Sequence, residues 1–164
     1  MTELLGKINL VGIIDEDFTN YKVPSMTLMF PYCTFKCGID YCQNSALVHG
    51  EIINVGISDV CRRYINNPIT EAIVCQGLEP FDSWEELYNL IWTLRIHFDC
   101  HDDVVIYTGY NKDEIMDKIE ELQALTSNIV VKFGRFIPNQ KPHLDEVLGV
   151  ELASDNQYAE RIDI

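Results

Sequence analysis

Three cysteines lie within ten residues of this chain, at Cys33, Cys37 and Cys42. They follow an apolar run, residues 26–30, which predicts a β-strand ending just before them. Several thiolates on one short segment favour a soft metal centre: an iron–sulfur cluster, zinc or copper(I). Three ligands are one fewer than a closed site uses, so one metal position would stay open to a small molecule, as in a catalytic site.

The composition indicates one globular domain in a reducing compartment. The 164 residues are enough to bury a core, and we treat residues 1–164 as a single domain. The net charge of −14 argues against a nucleic-acid partner, which would need clustered Lys and Arg. Without a signal-peptide pattern or a membrane-spanning apolar run, we expect a cytoplasmic protein with no membrane contact. Cys61, Cys75 and Cys100 are then interpreted as buried apolar residues rather than disulfides.

The order of predicted elements is typical of an α/β fold. Strands are predicted at residues 7–14, 24–30, 71–75, 103–107 and 129–133, with a short strand or loop at 51–55 and an edge strand at 147–152. Helices are predicted from Ser58 to about residue 66, from a capping box formed by Ser83 and Glu86, and at residues 112–125. Residues 154–164 are expected to be a polar tail.

Alternating strands and helices indicate right-handed parallel crossovers. A complete eight-stranded barrel takes about 250 residues. We therefore expect an open, partial (β/α) barrel of about five or six mostly parallel strands.

Three predicted strands end in segments that would meet at one edge of a parallel sheet. They are followed by the cysteine segment, by residues 77–80 (Gly-Leu-Glu-Pro) and by residues 108–110 (Thr-Gly-Tyr). Gly77 would let the backbone approach a ligand closely, and the carboxylate of Glu79 suits a ligand with an ammonium group. The alternative is that residues 77–80 are only a β-to-α turn.

The order of motifs along the chain resembles a known family. The motifs are Asp17-Phe-Thr-Asn20, the cysteine segment with Tyr41 before its last cysteine, Gly77-Leu-Glu-Pro80, Val105-Ile-Tyr-Thr-Gly-Tyr110, Phe133-Gly-Arg-Phe136 and Ser154-Asp-Asn-Gln157. This order is similar to that of the small radical S-adenosylmethionine activases, most closely the family of the anaerobic ribonucleoside-triphosphate reductase activating protein. The resemblance spans nearly the whole chain, and it implies a barrel of the radical S-adenosylmethionine type.

The resemblance implies a cofactor pair and a protein substrate. Cys33, Cys37 and Cys42 would bind a 4Fe-4S cluster whose fourth iron is chelated by the amino and carboxylate groups of S-adenosyl-L-methionine. Reductive cleavage would give a 5′-deoxyadenosyl radical that takes a hydrogen atom from a glycine of a glycyl radical enzyme, with the anaerobic ribonucleotide reductase as leading candidate. A flavodoxin-like or other low-potential donor would supply the electron.

The same resemblance assigns cofactor-binding residues. Gly77 and Glu79 correspond to the methionyl end of the cofactor and Tyr41 to its adenine. Thr108 is added to these cofactor-binding residues because its predicted strand ends at the same edge of the sheet. Two departures stand out: four residues instead of two separate Cys37 from Cys42, and Leu78 replaces a glycine of the family pattern.

Other functions remain open. The same radical chemistry could serve another peptide or a small molecule, although the small size of the chain favours a macromolecular partner. Arg135, Phe136 and residues 156–157 could line a docking surface or be ordinary surface. A structural zinc or iron–sulfur module, with His49 as a further ligand, and a redox-inert α/β domain are the alternatives from other classes.

Overall fold

Short β-branched segments form the strands of the computed structural model, which describes residues 6–32 and 51–162. The strands are β1 (Lys7–Leu10), β2 (Gly12–Asp17), β3 (Ser25–Phe30), β4 (Ile53–Gly56), β5 (Ala72–Gly77), β6 (Asp103–Tyr107), β7 (Ile129–Phe133), β8 (His143–Asp145), β9 (Val150–Leu152) and β10 (Tyr158–Arg161). The helices are α1 (Ile57–Ile65), α2 (Trp84–Trp92) and α3 (Met116–Leu125), with 3₁₀ turns at Pro80–Ser83 and Lys112–Ile115 and a π-helical turn at Thr93–His97. None of the described helices is long and apolar enough to cross a membrane.

Six strands form the main sheet in the order β2-β3-β5-β6-β7-β10. The four central strands, β3, β5, β6 and β7, are parallel to one another, while β2 and β10 are antiparallel edge strands. Spatial order thus follows chain order, as expected when each crossover moves one strand along in the same direction. The open-barrel form expected from the sequence stays a prediction.

The two faces of the main sheet are covered differently. One face packs against α1, α2 and α3 and forms the larger apolar core, to which β5 contributes Ile73 and Cys75. The opposite face carries the alternate strand residues, such as Val74, Val105 and Val130, and packs against residues of the loop after β2 and of the β8–β9 hairpin. All three helices lie on one side, so short segments cover the other.

The cysteines outside the 33–42 segment belong to the helical face. Cys61 and Cys75 are fully buried and free, which confirms their interpretation as apolar core residues. Cys100 is partly buried and packs against the same core. Burial raises the pKa of the Cys61 thiol to about 12 and that of the Cys75 thiol still further. These thiols are protonated near neutral pH and are poor metal ligands.

The prediction of one strand at residues 7–14 is wrong, because two strands occupy this segment. β1 pairs with β4 in a separate two-stranded sheet, and β2 pairs with β3 in the main sheet. The change of partner occurs at Val11, whose amide donates to the carbonyl of Met29. The continuous apolar pattern gave no sign of this change.

The C-terminal region differs from the prediction in two respects. The edge strand predicted at 147–152 is confirmed only over Val150–Leu152, as β9, and it pairs with β8 in a separate hairpin. The predicted polar tail instead contains β10, the edge strand beside β7. β10 pairs with β7 through its backbone, and two ion pairs flank it: Lys112 binds Glu160 at 2.7 Å and Arg161 binds Asp103 at 2.9 Å. A four-residue edge strand with a single buried side chain lacks the apolar alternation on which sequence reasoning relies.

The predicted serine caps do not form. Ser83 makes no side-chain capping bond, and its hydroxyl has no hydrogen-bond partner among the described residues. The carboxylate of Glu86 accepts instead from the amide of Asn9, at 2.7 Å. Ser58 likewise lies inside α1, where the N-cap position is taken by Gly56. The first turn of α2 is therefore anchored by the N-terminal strand rather than by a local capping box.

Gly77 is the last residue of β5 and lies directly against Phe30, the last residue of β3. Its φ is +101°, a conformation that residues with a side chain rarely adopt. A Cβ atom there would lie 2.5 Å from the backbone nitrogen of Phe30 and 2.8 Å from its carbonyl oxygen. The close contact between strand ends requires glycine whether or not a ligand binds.

We expect Gly77→Ala to lower the free energy of unfolding by about 3 kcal/mol, because left-handed strain adds to an overpacked contact between two backbones. Urea unfolding followed by far-UV circular dichroism measures the change. Gly109→Ala is the matched control, since a Cβ there meets only atoms at 3.6 Å or beyond. Equal stability of the two variants would show that the strand ends can separate at little cost.

Candidate cofactor site

The parallel strands β3, β5 and β6 end at one edge of the sheet, as the sequence predicted. Phe30 pairs with Gly77, and Cys75 pairs with Ile106, so the three strands are in register near their carboxyl ends. Tyr32, two residues past the end of β3, is the last described residue before the cysteine segment. The predicted cluster ligands Cys33, Cys37 and Cys42, with Tyr41 and His49, lie outside the described residues.

Glu79 joins the ends of β5 and β6. Its side chain is 3% exposed, and its carboxylate accepts three hydrogen bonds. One oxygen accepts from the amide of Gly109 at 2.8 Å. The other accepts from the hydroxyl of Thr108 at 2.8 Å and from the amide of Phe81 at 3.2 Å. Burial raises the pKa of Glu79 to about 7, although the three donors oppose this shift.

These contacts bear on both interpretations of residues 77–80. Glu79 is the N-cap of the 3₁₀ turn Pro80–Ser83, as a β-to-α turn requires. The structure also brings Glu79 and Thr108 into contact, as expected if the ends of β5 and β6 form one ligand-binding edge of the sheet. A carboxylate has about four acceptor positions, so three donors leave room for one more. Glu79 therefore has a structural role, and its remaining acceptor position suits an ammonium group.

A cavity of about 220 Å³ lies on the sheet face opposite the helices. Three neighbouring strands each place a polar residue on this face in one of their last two positions. These residues are Gln76, Tyr107 and Lys132, and each lies two positions after a core valine, at Val74, Val105 and Val130 respectively. The remaining lining residues come from the loop after β2 and from the C-terminal region. They are Thr19, Asn20, Val150, Glu151, Leu152, Ala153 and Gln157.

Lys132 places a buried cation in the wall of this cavity. The side chain is 7% exposed, and its ammonium donates to the carbonyl of Gly134 at 3.1 Å. It also lies 5.8 Å from the ring centroid of Tyr107, within cation–π range. The Tyr107 hydroxyl donates in turn to the carbonyl of Asn20 at 2.5 Å. A buried ammonium among polar groups suits an anionic ligand group such as a carboxylate.

The N-terminal motif, residues 17–20, forms part of the cavity wall. The carboxylate of Asp17, which is 6% exposed, accepts from the backbone amide and the hydroxyl of Thr19, from the side-chain amide of Asn20 and from the hydroxyl of Thr27. These bonds hold the loop after β2 against β3. Thr19 and Asn20 are thereby fixed at the cavity, which gives the motif a structural explanation.

The two C-terminal motifs pack on each other beside the same cavity. Gly134 has a φ of +103°, and a Cβ there would lie 3.0 Å from the carbonyl oxygen of Asn156. The side-chain amide of Gln157 donates to the carbonyl of Gly134 at 3.3 Å, and that of Asn156 donates to the carbonyl of Arg135 at 2.8 Å. Gln157 is 5% exposed, so it belongs to the cavity wall and not to the docking surface considered from the sequence.

Sequence reasoning missed the polar residues that the strands themselves contribute. Gln76, Tyr107 and Lys132 were not assigned to the site, although Lys132 is the single charged residue in the run Ile129–Phe133. A lysine in an otherwise apolar, buried strand needs polar groups around its ammonium. The lysine in this run was therefore the sequence signal for a polar site beside β7. Arg135 is half-buried, binds Glu114 at 2.8 Å and lies over the ring of Tyr110.

Among the described residues, no group of three His, Cys, Asp or Glu side chains is arranged to hold a metal ion. Because Cys61 and Cys75 lie in the helical core, the thiols that remain for a cluster are mainly those of the 33–42 segment. Three thiolates fit a cluster with one open iron.

Residues 24–157 match the family model described as a 4Fe-4S single cluster domain. The chain belongs to this family. No curated protein and no solved structure matched the chain. Membership in the 4Fe-4S single cluster domain family confirms the iron–sulfur part of the sequence prediction and is compatible with a redox enzyme. The zinc module is correspondingly disfavoured, while S-adenosyl-L-methionine and the activase assignment stay predictions.

We expect Glu79 to make the stability of the chain fall as pH rises. Its pKa of about 7 in the folded chain lies above the usual 4.5, so the folded state holds a proton that the unfolded state loses between these values. The free energy of unfolding therefore decreases over this range, by up to roughly 3 kcal/mol. Glu79→Gln should remove this component.

The measurement is urea unfolding of wild type and Glu79→Gln from pH 4.5 to pH 8. The exposed Glu120→Gln, at the surface of α3, is the control for the loss of one carboxylate. A stability difference between wild type and Glu79→Gln that is the same at every pH would contradict a raised pKa.

Proposed function

We propose that the chain is a radical S-adenosyl-L-methionine activating enzyme whose substrate is a glycyl radical enzyme. The observation that carries the proposal is the convergence of separate motifs. Residues 17–20, Tyr107 and Gln157 belong to three of the motifs that carry the family resemblance, and all three contribute to the wall of one cavity. A polar cavity built from far-separated motifs supports a ligand site better than a set of coincidental matches.

The cavity and the cysteine segment are related through the sheet. Gln76, Tyr107 and Lys132 lie in the last two positions of their strands, and Cys33 follows three residues after the last residue of β3. The carboxyl ends of parallel strands are where α/β folds bind their ligands. A cluster on Cys33, Cys37 and Cys42 would therefore start from the same edge as a ligand in the cavity.

The described residues of the cavity offer a charged group for the carboxylate of a methionyl end. In the proposed arrangement the ammonium of Lys132 binds the cofactor carboxylate, while Glu79, which does not line the cavity, holds the neighbouring ends of β5 and β6 in place. Gln76 and Asn20 supply neutral hydrogen-bonding groups. Val150 and Leu152 exclude water from the inner part of the cavity, which strengthens these charged contacts.

The cluster and cofactor would supply the radical chemistry. Cys33, Cys37 and Cys42 would hold the 4Fe-4S cluster, and the cluster together with S-adenosyl-L-methionine would supply one-electron chemistry that removes a hydrogen atom from a glycine of the partner. The anaerobic ribonucleotide reductase is the partner that the resemblance favours. A flavodoxin-like or other low-potential protein would reduce the cluster.

One observation favours a second candidate, an iron–sulfur module without cofactor cleavage. Glu79 already accepts three hydrogen bonds within the chain, and Gly77 is required by the packing of Phe30. Both residues thus have structural reasons to be present. Leu78, in place of a second glycine, adds a side chain at this turn.

We expect anaerobic reconstitution with iron and sulfide to give about four irons per chain. The EPR spectrum of the reduced protein should change on addition of S-adenosyl-L-methionine, and 5′-deoxyadenosine should form. Cys33→Ser, Cys37→Ser and Cys42→Ser should each lose most of the iron, whereas the control Cys100→Ser should keep it. A full cluster that is indifferent to the cofactor would support the iron–sulfur module instead.

Lys132→Met should weaken the binding of S-adenosyl-L-methionine by roughly tenfold to a hundredfold, the usual loss when a charge-assisted hydrogen bond is removed. The same variant should bind decarboxylated S-adenosyl-L-methionine as wild type does, because the partner group of Lys132 is then missing. Equilibrium dialysis against the reconstituted protein measures both affinities. The exposed Lys141→Met is the control, and an equal loss for both ligands would exclude the carboxylate contact.

A further inference from the structure

A second concave surface lies on the helical side of the sheet, between α2 and α3. Its volume is about 310 Å³, and it is lined by Trp84, Glu85, Tyr88, Asn89 and Glu121. We name this surface the α2–α3 groove. It is separate from the cavity described above, which lies on the opposite face and shares no lining residue with it.

Two aromatic rings form one wall of the α2–α3 groove. Trp84 and Tyr88 are one helical turn apart, and their ring centroids lie 5.6 Å from each other at an interplanar angle of 56°. The Trp84 ring is stacked on Phe81, with centroids 5.9 Å apart and planes within 11°. Phe81 is buried, so the indole is held in a fixed orientation. The wall is therefore a rigid aromatic surface and not a mobile side chain.

Two exposed carboxylates flank this aromatic wall. Glu85 is on α2 and Glu121 on α3, and neither side chain forms a hydrogen bond or ion pair with another described residue. Lys118 already lies 5.8 Å from the centroid of the Trp84 ring, which shows that this ring can hold a cation. Aromatic faces beside carboxylates form the chemical environment that binds organic cations. The net charge of −14 attracts a basic partner further.

We propose that the α2–α3 groove binds an arginine side chain of a partner protein. A guanidinium group is planar, stacks on aromatic faces and pairs with carboxylates, so it matches Tyr88, Glu85 and Glu121. At the ring of Trp84, which is stacked on Phe81, it would compete with Lys118. The volume of about 310 Å³ is ample for an arginine side chain and much larger than an ammonium group needs. The amide of Asn89 adds a polar group beside the carboxylates.

The position of the α2–α3 groove indicates what such a contact does. Trp84 is the first residue of α2, and α2 directly follows the 3₁₀ turn that Glu79 caps. The hydroxyl of Tyr110, just past the end of β6, donates to Asp82 in that turn at 2.6 Å. A partner held in the groove would therefore lie close to the strand edge that carries the candidate cofactor site. The inference does not depend on the proposed radical chemistry.

The test uses the fluorescence of Trp84 in the 164-residue chain. The chain has two tryptophans, and Trp92→Phe leaves Trp84 as the only reporter. Titration with Nα-acetyl-arginine methylamide should give a saturable change in emission. The citrulline analogue, which has nearly the same shape but no charge, should give none. In the Trp92→Phe background, Glu85→Gln combined with Glu121→Gln should weaken arginine binding about tenfold, whereas Glu120→Gln should leave it unchanged.

A variant that binds the arginine analogue more tightly than wild type cannot owe this change to a damaged fold. Lys118→Gln removes the cation already above Trp84, so the arginine analogue should bind roughly twofold to fivefold more tightly. Equal responses to arginine and citrulline, the absence of saturation, or unchanged binding in the double Glu→Gln variant would each overturn the proposal. Binding of the lysine analogue as tight as that of arginine would also overturn it, since the geometry selects a guanidinium.

Discussion

The buried carboxylate of Glu79 connects the parts of the molecule on which a functional edge depends. It lies between the ends of β5 and β6, and it accepts hydrogen bonds from the chain that follows each of them. The Gly77–Phe30 contact ties β3 to the same point. Three strand ends are thus fixed relative to one another by one side chain and one glycine. Because the pKa of Glu79 is about 7, its side chain is a neutral carboxylic acid in a fraction of the molecules near neutral pH. A cation bound beside Glu79 would favour the charged carboxylate.

Much of the fold could be predicted from the sequence, since the strands at 103–107 and 129–133 are buried apolar runs with clear ends. The errors fall where other forces decide the structure. Val11 switches the chain between two sheets, and β10 is a short edge strand that pairs with β7 and is flanked by the ion pairs of Lys112 and Arg161. Local pattern does not report a change of partner strand or an ion pair between distant segments.

The candidate site was predicted in part. The strand ends and the contact between Thr108 and Glu79 followed from the topology of parallel strands. The cavity did not, because its floor consists of residues that alternate with core valines, such as Gln76 and Lys132. A valine followed two residues later by a polar side chain, repeated on adjacent strands, was the signal to look for. Recognising it required knowing which strands are neighbours.

The one-sided arrangement of the helices has a consequence for the order in which the chain is assembled. During synthesis the central strands and their helices can pack as soon as residues up to β7 have emerged, because spatial order follows chain order. The opposite face then waits for Val150, Leu152 and Gln157, which complete the cavity wall. A nascent chain would thus reach a packed helical layer well before it could enclose a ligand. Any ligand that this cavity binds is therefore expected to be enclosed late, once residues 150–157 have packed on the sheet.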